Sequence, residues 1–421
     1  MSDIRLLWQC QLSNYDSHGK FNLVGDSNWQ LVVTKLPHMF KVNPNMSVTV
    51  LAPRAKDCLE RPIELLREAC APEILDKVKV IEIPIIPSAL KTRFDFPWDE
   101  MVKTVPREEY THVYINDPML YRHWRALAHL EWNLAPKFIV QTHFLDTPKD
   151  PVVPPEVAYW YGTVEAVQRA DVAMWHSDAM RRQFTTAMRG KFSKRAVKEV
   201  IAKSIVWKSG YSTTEIHKPV DMSRVRFDPD VLKGKMVVWV PNRVGGLGRS
   251  LDYTNAGKFL FEQVPKLWQR RQDFVVVAGN PSAKISNDEI ANACPAYVKL
   301  VDGPLNRDEY RWLSARADLV VALYLLDANG GLAALEAIDH HAMPIFPNVN
   351  EYKTYFTAAD WECSMRVWPN LNNTHEVVGN MIDGIKNGLI KAHAKRMRNF
   401  VRSYASYEST TAQAMKDMGL A

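Results

Sequence analysis

Short apolar runs alternate with amphipathic helical stretches along almost the whole chain, and this limits the folds open to it. Runs at 4–9, 47–51, 78–83, 112–115, 138–141 and 172–175 fill the first half. Runs at 236–240, 274–278, 298–301, 319–323 and 344–346 fill the second. Strands read this way when helices cover both faces of a parallel sheet. Helices are expected near 255–270, 307–317 and 331–339, with two long amphipathic ones at 374–389 and 393–416. The fold class is therefore α/β. In open α/β sheets ligands bind beyond the carboxyl ends of the strands. In the first half those ends carry Asn116 and Asp117, Thr142 and His143, and His176, Ser177 and Asp178.

A chain of 421 residues is too long for one ordinary core and implies two domains. The stretch 208–235, rich in Ser, Thr, Pro and charge, is the expected boundary. It divides the chain into 1–207, 208–392 and a terminal helical region, 393–421.

The segment 324–350, YLLDANGGLAALEAIDHHAMPIFPNVN, reads as strand, glycine turn, helix, strand. Gly330 and Gly331 let the backbone approach a ligand closely, and the N–H groups of the first helical turn present the positive end of the helix dipole. A diphosphate suits that position, and Glu336, two turns in, can accept from ribose hydroxyls. A second landmark, MVVWVPNRVGGLGRSLDYTNAGKF at 236–259, runs from a buried strand into a glycine-rich loop carrying Arg243 and Arg249. A guanidinium there can grip phosphate in bidentate fashion.

In order and spacing these segments, with FVVVAGNPSAK and YVKLVDGPLNRDEYRWLSARADLVVAL between them, resemble the retaining nucleotide-sugar glycosyltransferases of the GT-B architecture (the group 1, or family 4-like, enzymes). The resemblance is close over residues 170–350 and coarse elsewhere. HKPVDMSRVRF in the boundary stretch is similar to the family's interdomain linker, with Val220 and Asp221 in register. The resemblance implies two Rossmann-like domains facing a central cleft, and a last helix that crosses back to the first domain. It implies that Arg243 and Arg249 hold the diphosphate and that the main chain at Gly303 and Leu305 holds the base. Asp327, Asn329, Gly330, Gly331, Leu332 and Glu336 complete the donor side. His143 is implied to reach the donor sugar, with Asp146 and Asp117 at comparable strand edges. Asn14, Asp16 and His18, in the long loop after the first strand, are the acceptor-side candidates.

One position departs from the family, whose motif spaces two glutamates as E-x7-E. Counting back eight from Glu336 gives Ala328, with Asp327 beside it. The first glutamate is absent or shifted to Asp327, which leaves the sugar open and diphosphate binding intact.

The implied activity is transfer of a hexosyl or pentosyl group from a nucleoside-diphosphate sugar, a UDP-sugar first among them, with retention. The sugar nucleotide is a co-substrate; no tightly bound cofactor and no metal is required. Asp228 and Asp230 spell the D-x-D of metal-dependent transferases, but in the linker, where a turn is expected. The string NRVGGLGRS, and HSD after a strand, are loosely similar to phage DNA α-glucosyltransferases. Duplex DNA bearing a hydroxymethylated base, flipped out to react, is therefore one acceptor. A cell-surface glycan or lipid-linked acceptor at a membrane is the other. Net charge +6 and a basic run, Arg181, Arg182, Arg189, Lys191, Lys194, Arg195 and Lys198, with Lys395, Arg396 and Arg398 near the end, suit either polyanion. A non-catalytic nucleotide-sugar or nucleic-acid binding protein is a third reading. A nucleotide-dependent oxidoreductase is poorer, since no G-x-G-x-x-G follows the first strand.

The cysteines, Cys10, Cys58, Cys70, Cys294 and Cys363, are odd in number and form no CxxC pair. Free thiols in a reducing cytoplasm, rather than zinc or disulfides, are expected. No run of eighteen apolar residues exists, and the opening sixteen residues lack the basic start and apolar core of a signal peptide.

Overall fold

A computed structural model describes residues 3–10, 27–55, 61–85, 98–105, 110–132, 135–142, 154–241, 251–278, 286–301, 305–323, 331–356, 359–368 and 370–421. The chain forms two compact units, Met1–Ser209 with Thr410–Ala421, and Gly210–Ser409.

The first unit is built on a parallel sheet of β1 (Arg5–Gln9), β2 (Ser47–Ala55), β3 (Val78–Ile85), β4 (His112–Ile115), β5 (Lys137–Thr142), β6 (Val172–Trp175) and β7 (Ser204–Val206). The order is β3-β2-β1-β4-β5-β6-β7. Side chains alternate across it with the period of two that a strand imposes. Leu6, Trp8, Tyr114 and Ile139 enter one core, beside Trp29, Val32 and Leu36 of the helix Ser27–Val42. Leu7, Val113, Ile115 and Val140 enter the other, beside Tyr121, Trp124 and Leu127 of the helix Tyr121–Glu131. Met415, Met418 and Leu420, from the end of the chain, complete the first of these cores, and Asn43 Nδ2 donates to the Leu420 carbonyl at 3.0 Å. The last helix therefore returns to the first unit, as the resemblance implied.

The second unit holds β8 (Met236–Val240), β9 (Phe274–Ala278), β10 (Leu319–Val321), β11 (Met343–Pro347) and β12 (Arg366–Val367), parallel in the order β12-β11-β10-β8-β9. Every residue of β10 and β11 is buried. The short edge strands β7 and β12 carried no sequence signal. The expected strand at 298–301 does not form. Tyr297 makes an isolated bridge to Val276, and the residues after it are exposed or half-buried at the sheet margin, where no second pair follows. The expected helix at 255–270 is one helical run interrupted by a π turn, Phe259–Gln263, just before Pro265.

The single helix expected at 393–416 is two, Lys391–Ala405 and Tyr407–Met418. Ser406 between them is extended because it pairs with Tyr211: Tyr211 N–H donates to the Ala405 carbonyl (3.3 Å), and Tyr407 N–H to that of Tyr211 (2.9 Å). The division between units consequently falls at 209/210 and 409/410 rather than at 207/208 and 392/393. The helix Lys391–Ala405 stays with the second unit because Met397, Val401 and Ala405 lie in its core. At this crossing Glu408 accepts from the N–H groups of Thr213 and Thr214, both at 3.1 Å, and from the Ser212 and Thr214 hydroxyls. Burial opposes its charge, but the N–H donors outweigh burial and hold its carboxyl down at about 2.

The helix Leu332–Asp339 is fastened at its far end. Asp339 is fully buried, and an acid there faces the negative end of the helix dipole. Three side chains gather on it: His217 Nε2 at 2.7 Å, the Arg402 guanidinium, and Arg398 Nε at 3.5 Å. Arg398 and Arg396 thus turn inward, the latter onto buried Glu362, and do not extend the basic surface expected of them; Lys395 is exposed. Asp228 caps a short turn, its carboxylate accepting from Asp230 N–H at 2.9 Å, as the linker reading of that D-x-D expected. Cys70, Cys294 and Cys363 are free thiols and Cys10 is buried; Cys58 lies outside the described residues. Among the described residues no helix is long and apolar enough to cross a membrane, and no cluster of His, Cys, Asp and Glu could hold a metal ion.

Three substitutions, Gly234→Ala serving as the comparison, test these joints. A Cβ on Gly210 would stand 1.8 Å from the Ala405 carbonyl oxygen, a backbone atom, whereas one on Gly234 meets nothing within 4 Å and suffers only its positive φ of 71°. Gly210→Ala is expected to cost about 3 kcal/mol and Gly234→Ala about 1 kcal/mol, read by denaturant melts. Asp339→Ala, which leaves Arg398 and Arg402 without their carboxylate, is expected to cost about 3 kcal/mol; an unchanged midpoint would contradict the role given to Asp339.

Candidate functional site

In each sheet the strand order reverses once, and crevices open beyond the carboxyl ends of the strands at such a reversal. In the second unit the reversal lies between β8 and β10, since β9 adds to one side of β8 and β10 to the other. The loop carrying Arg243 and Arg249 follows β8, and that carrying Asp327, Asn329 and Gly330 follows β10. Those five residues, and Gly303, lie outside the described residues. What bounds these loops is described. Asn255 Nδ2, on the helix after the first, donates at 3.1 Å to the Leu323 carbonyl, at the start of the second. This bond ties the helix that follows the first loop to the last described residue before the second.

Gly331 begins the helix Leu332–Asp339 at φ 65°, ψ 99°. That left-handed conformation favours glycine, and no side chain caps the helix start, where the Ala334 and Leu335 N–H groups bond to the Gly331 carbonyl and those of Leu332 and Ala333 precede the first intrahelical bonds. Gly331 and Leu332 thus stand where the sequence expected a helix N-terminus. Glu336, one turn on, is 8% exposed. Its carboxylate accepts from the Tyr310 hydroxyl and lies 3.8 Å from Arg307. Burial pushes its carboxyl above the ordinary range, with Arg307 and Tyr310 pulling the other way. Leu305 is half-buried against the second unit's core, two residues ahead of Arg307.

Sequence reasoning missed Arg307, Tyr310 and Asn255. The helix that carries the first two was expected, and Asn306 and Glu309 close a capping box at its start. That capping pattern is a local signal; the contact with Glu336 is not, because 26 residues separate Tyr310 from it.

In the first unit the reversal lies between β1 and β4. Of the residues expected there, Asn14, Asp16 and His18 after β1, and His143 and Asp146 after β5, lie outside the described residues. Asp117, just past β4, is 3% exposed, and its carboxylate caps the turn Pro118–Leu120, accepting from Met119 N–H at 3.0 Å. Its neighbour Asn116 accepts from Trp8 Nε1 at 3.1 Å. Gln141 near the end of β5, His176 past β6 and Ser209 past β7 form a buried hydrogen-bonded row, joined to Tyr114 of β4. These polar side chains sit at strand ends because the strands' own faces are apolar on both sides.

No protein-family model matches the chain, and no curated protein matches it. Solved structures do. The chain is similar to HepE from Anabaena, crystallised with UDP-glucose, at 11% identity, 99% coverage of both chains and a TM-score of 0.62. It is similar to a glycosyltransferase from Rickettsia africae at 10% identity, over 99% of this chain and 98% of that one, with a TM-score of 0.64. A UGT transferase from Siraitia grosvenorii, in complex with UDP, matches at 11% identity, over 99% and 100%, with a TM-score of 0.56. At such identities the likeness is one of fold: two Rossmann-like units with parallel sheets of seven and five strands, the GT-B architecture.

Proposed function

We propose that the chain is a glycosyltransferase that takes a nucleoside-diphosphate sugar, a UDP-sugar first, and passes the sugar to an acceptor hydroxyl. One observation carries the reading: at the strand reversal of the second unit a helix begins on a left-handed glycine and holds a buried carboxylate, Glu336, one turn beyond it. Such a helix start suits a diphosphate, and the carboxylate suits a ribose diol. The presence of UDP or UDP-glucose in crystals of HepE and of the Siraitia protein supports uridine as the base.

Breaking the glycosidic bond puts charge on the leaving diphosphate, and stabilising that charge is the main catalytic demand. In this reading Arg243, Arg249 and the N–H groups following Gly330 and Gly331 meet it without a metal, while the main chain at Gly303 and Leu305 holds the base. Asp327, Asn329 and Leu332 complete the donor side. His143 positions the sugar, and Asp146 is a further catalytic candidate. Asn14, Asp16 and His18 face the acceptor, which attacks on the side the diphosphate leaves, with retention. Asp117 is the weakest member of the set, since its carboxylate already caps a turn.

For the acceptor, the helices Asp178–Arg189 and Lys194–Ala202 favour a polyanion. Arg189, Lys191, Lys194 and Lys198 are exposed and have no carboxylate partner among the described residues, whereas Arg181, Arg182 and Arg195 pair with Asp178 or Glu199. Duplex DNA carrying a hydroxymethylated base is the acceptor proposed; a lipid-linked acceptor on an anionic membrane is the competing one.

UDP is expected to raise the melting temperature by several degrees, more than GDP or ADP, and Arg243→Ala to weaken it by ten- to a hundredfold, the loss of one or two charged hydrogen bonds. No shift with any nucleotide would remove the donor reading and favour a binding protein of another kind. Binding to duplex DNA is expected to fall steeply between 50 and 200 mM salt, and the quadruple change of Arg189, Lys191, Lys194 and Lys198 to Gln to flatten that slope. Binding to anionic vesicles but not to DNA would transfer the proposal to the membrane acceptor.

A further inference from the structure

Glu336 is held from two directions by residues of the helix Arg307–Arg316. The Tyr310 hydroxyl donates to Oε2, and an Arg307 terminal nitrogen stands 3.8 Å from Oε1. Tyr310 is itself fixed. Its ring meets Trp239 of β8 edge-on, with centroids 5.4 Å apart and planes at 75°, and the Arg307 guanidinium lies 5.5 Å from its centroid. Arg307 is held in turn by Glu215, whose Oε1 is 3.8 Å from its Nε.

This geometry divides the work of the two carboxylate oxygens. Oε2 already accepts a hydroxyl from the protein. Oε1 has an opposite charge at ion-pair distance, but no donor within hydrogen-bond distance among the described residues. A carboxylate this buried would take up a proton unless a cation and a donor favoured its charged form. Protonated, it could rotate and donate, and it would no longer demand donors from a ligand. Ionised and pinned at one oxygen, it presents an acceptor in one direction.

We propose that Tyr310 and Arg307 are positioning residues that make Glu336 a reader of the ribose diol, so that this chain's choice of ribonucleotide over deoxyribonucleotide depends on them. The inference rests on the donor reading above and deepens it. It assigns to the helix after the base-binding loop a part in sugar discrimination, beyond any contact with the base. Neither residue need touch the nucleotide.

The test is calorimetric titration of UDP, 2′-deoxy-UDP and 3′-deoxy-UDP into the full chain and into Tyr310→Phe, Arg307→Gln and Arg307→Lys. The full chain is expected to prefer UDP over each deoxy analogue by ten- to a hundredfold, as a charged hydrogen bond dictates. In Tyr310→Phe and Arg307→Gln that preference is expected to shrink about tenfold, with affinity for the deoxy analogues little altered. Arg307→Lys, which keeps the charge, restores most of it. The proposal is overturned if the variants weaken UDP and its deoxy analogues by one factor, if the preference is unchanged, or if Lys and Gln at 307 behave alike. A wild-type chain that binds UDP and deoxy-UDP equally overturns it too, while sparing the diphosphate site. One that binds no nucleotide removes the donor reading itself, and this inference with it. Circular dichroism monitors folding; should Tyr310→Phe fail to fold, the Gln and Lys variants at 307 decide alone.

Discussion

Burial of both faces of two parallel sheets is the constraint from which the rest follows. A strand covered on either side carries mostly apolar side chains along its length, because an unpartnered polar group there would lose water and gain nothing. Polar chemistry is pushed to the strand ends. That is where Gln141, Thr142, His176 and Ser177 are found in the first unit, each no more than 1% exposed. It is also where Asn116 and Asp117 spend their side chains on Trp8 and on a turn. In the second unit the same pressure leaves the β8 and β10 ends, where the order reverses, to the glycine-rich loops.

The helix Leu332–Asp339 shows how a fold can hold one carboxylate steady. It starts on Gly331 in a left-handed conformation and ends on Asp339, which is clasped by His217, Arg398 and Arg402. Cations at that end offset an acid set against the helix dipole. The Asp339 end is thereby fixed, three residues beyond Glu336. Tyr310 and Arg307, from a neighbouring helix, meet the Glu336 carboxylate itself. His217 and Glu215 belong to the stretch that follows the crossing at Gly210, and both reach this region, one at Asp339 and the other at Arg307. The linker thus braces the helices that carry Asp339 and Arg307 rather than running as a loose connection.

The C-terminal region shows where periodicity misleads. An amphipathic pattern from 393 to 416 reads as one helix, and nothing local forbids it. Ser406 nevertheless leaves the helical conformation, because Tyr211, nearly two hundred residues earlier, offers its main chain as a partner and Gly210 has no side chain to keep Ala405 away. The strand expected at 298–301 failed for the complementary reason. Its apolar residues suit a strand, but at the sheet margin one bridge, Tyr297 to Val276, is all the pairing that forms.

Much of the fold was legible because its signals are local. Strands β4, β6, β8 and β9 begin and end where their apolar runs do, and glycine at 331 announces the left-handed helix start that its missing Cβ permits. The sequence by itself determined the class of fold, most strands of both sheets, and which loops follow the strands at the reversals. Only the tertiary structure decided what surrounds Glu336. Periodicity and caps record what a residue meets within a turn or two of its own chain. Tyr310, Arg307, Trp239 and Asn255 gain their meaning from contacts across tens of residues, set by how helices settle on a sheet. The charge state of a buried carboxylate depends on the sum of those contacts, and no local pattern of residues encodes that sum.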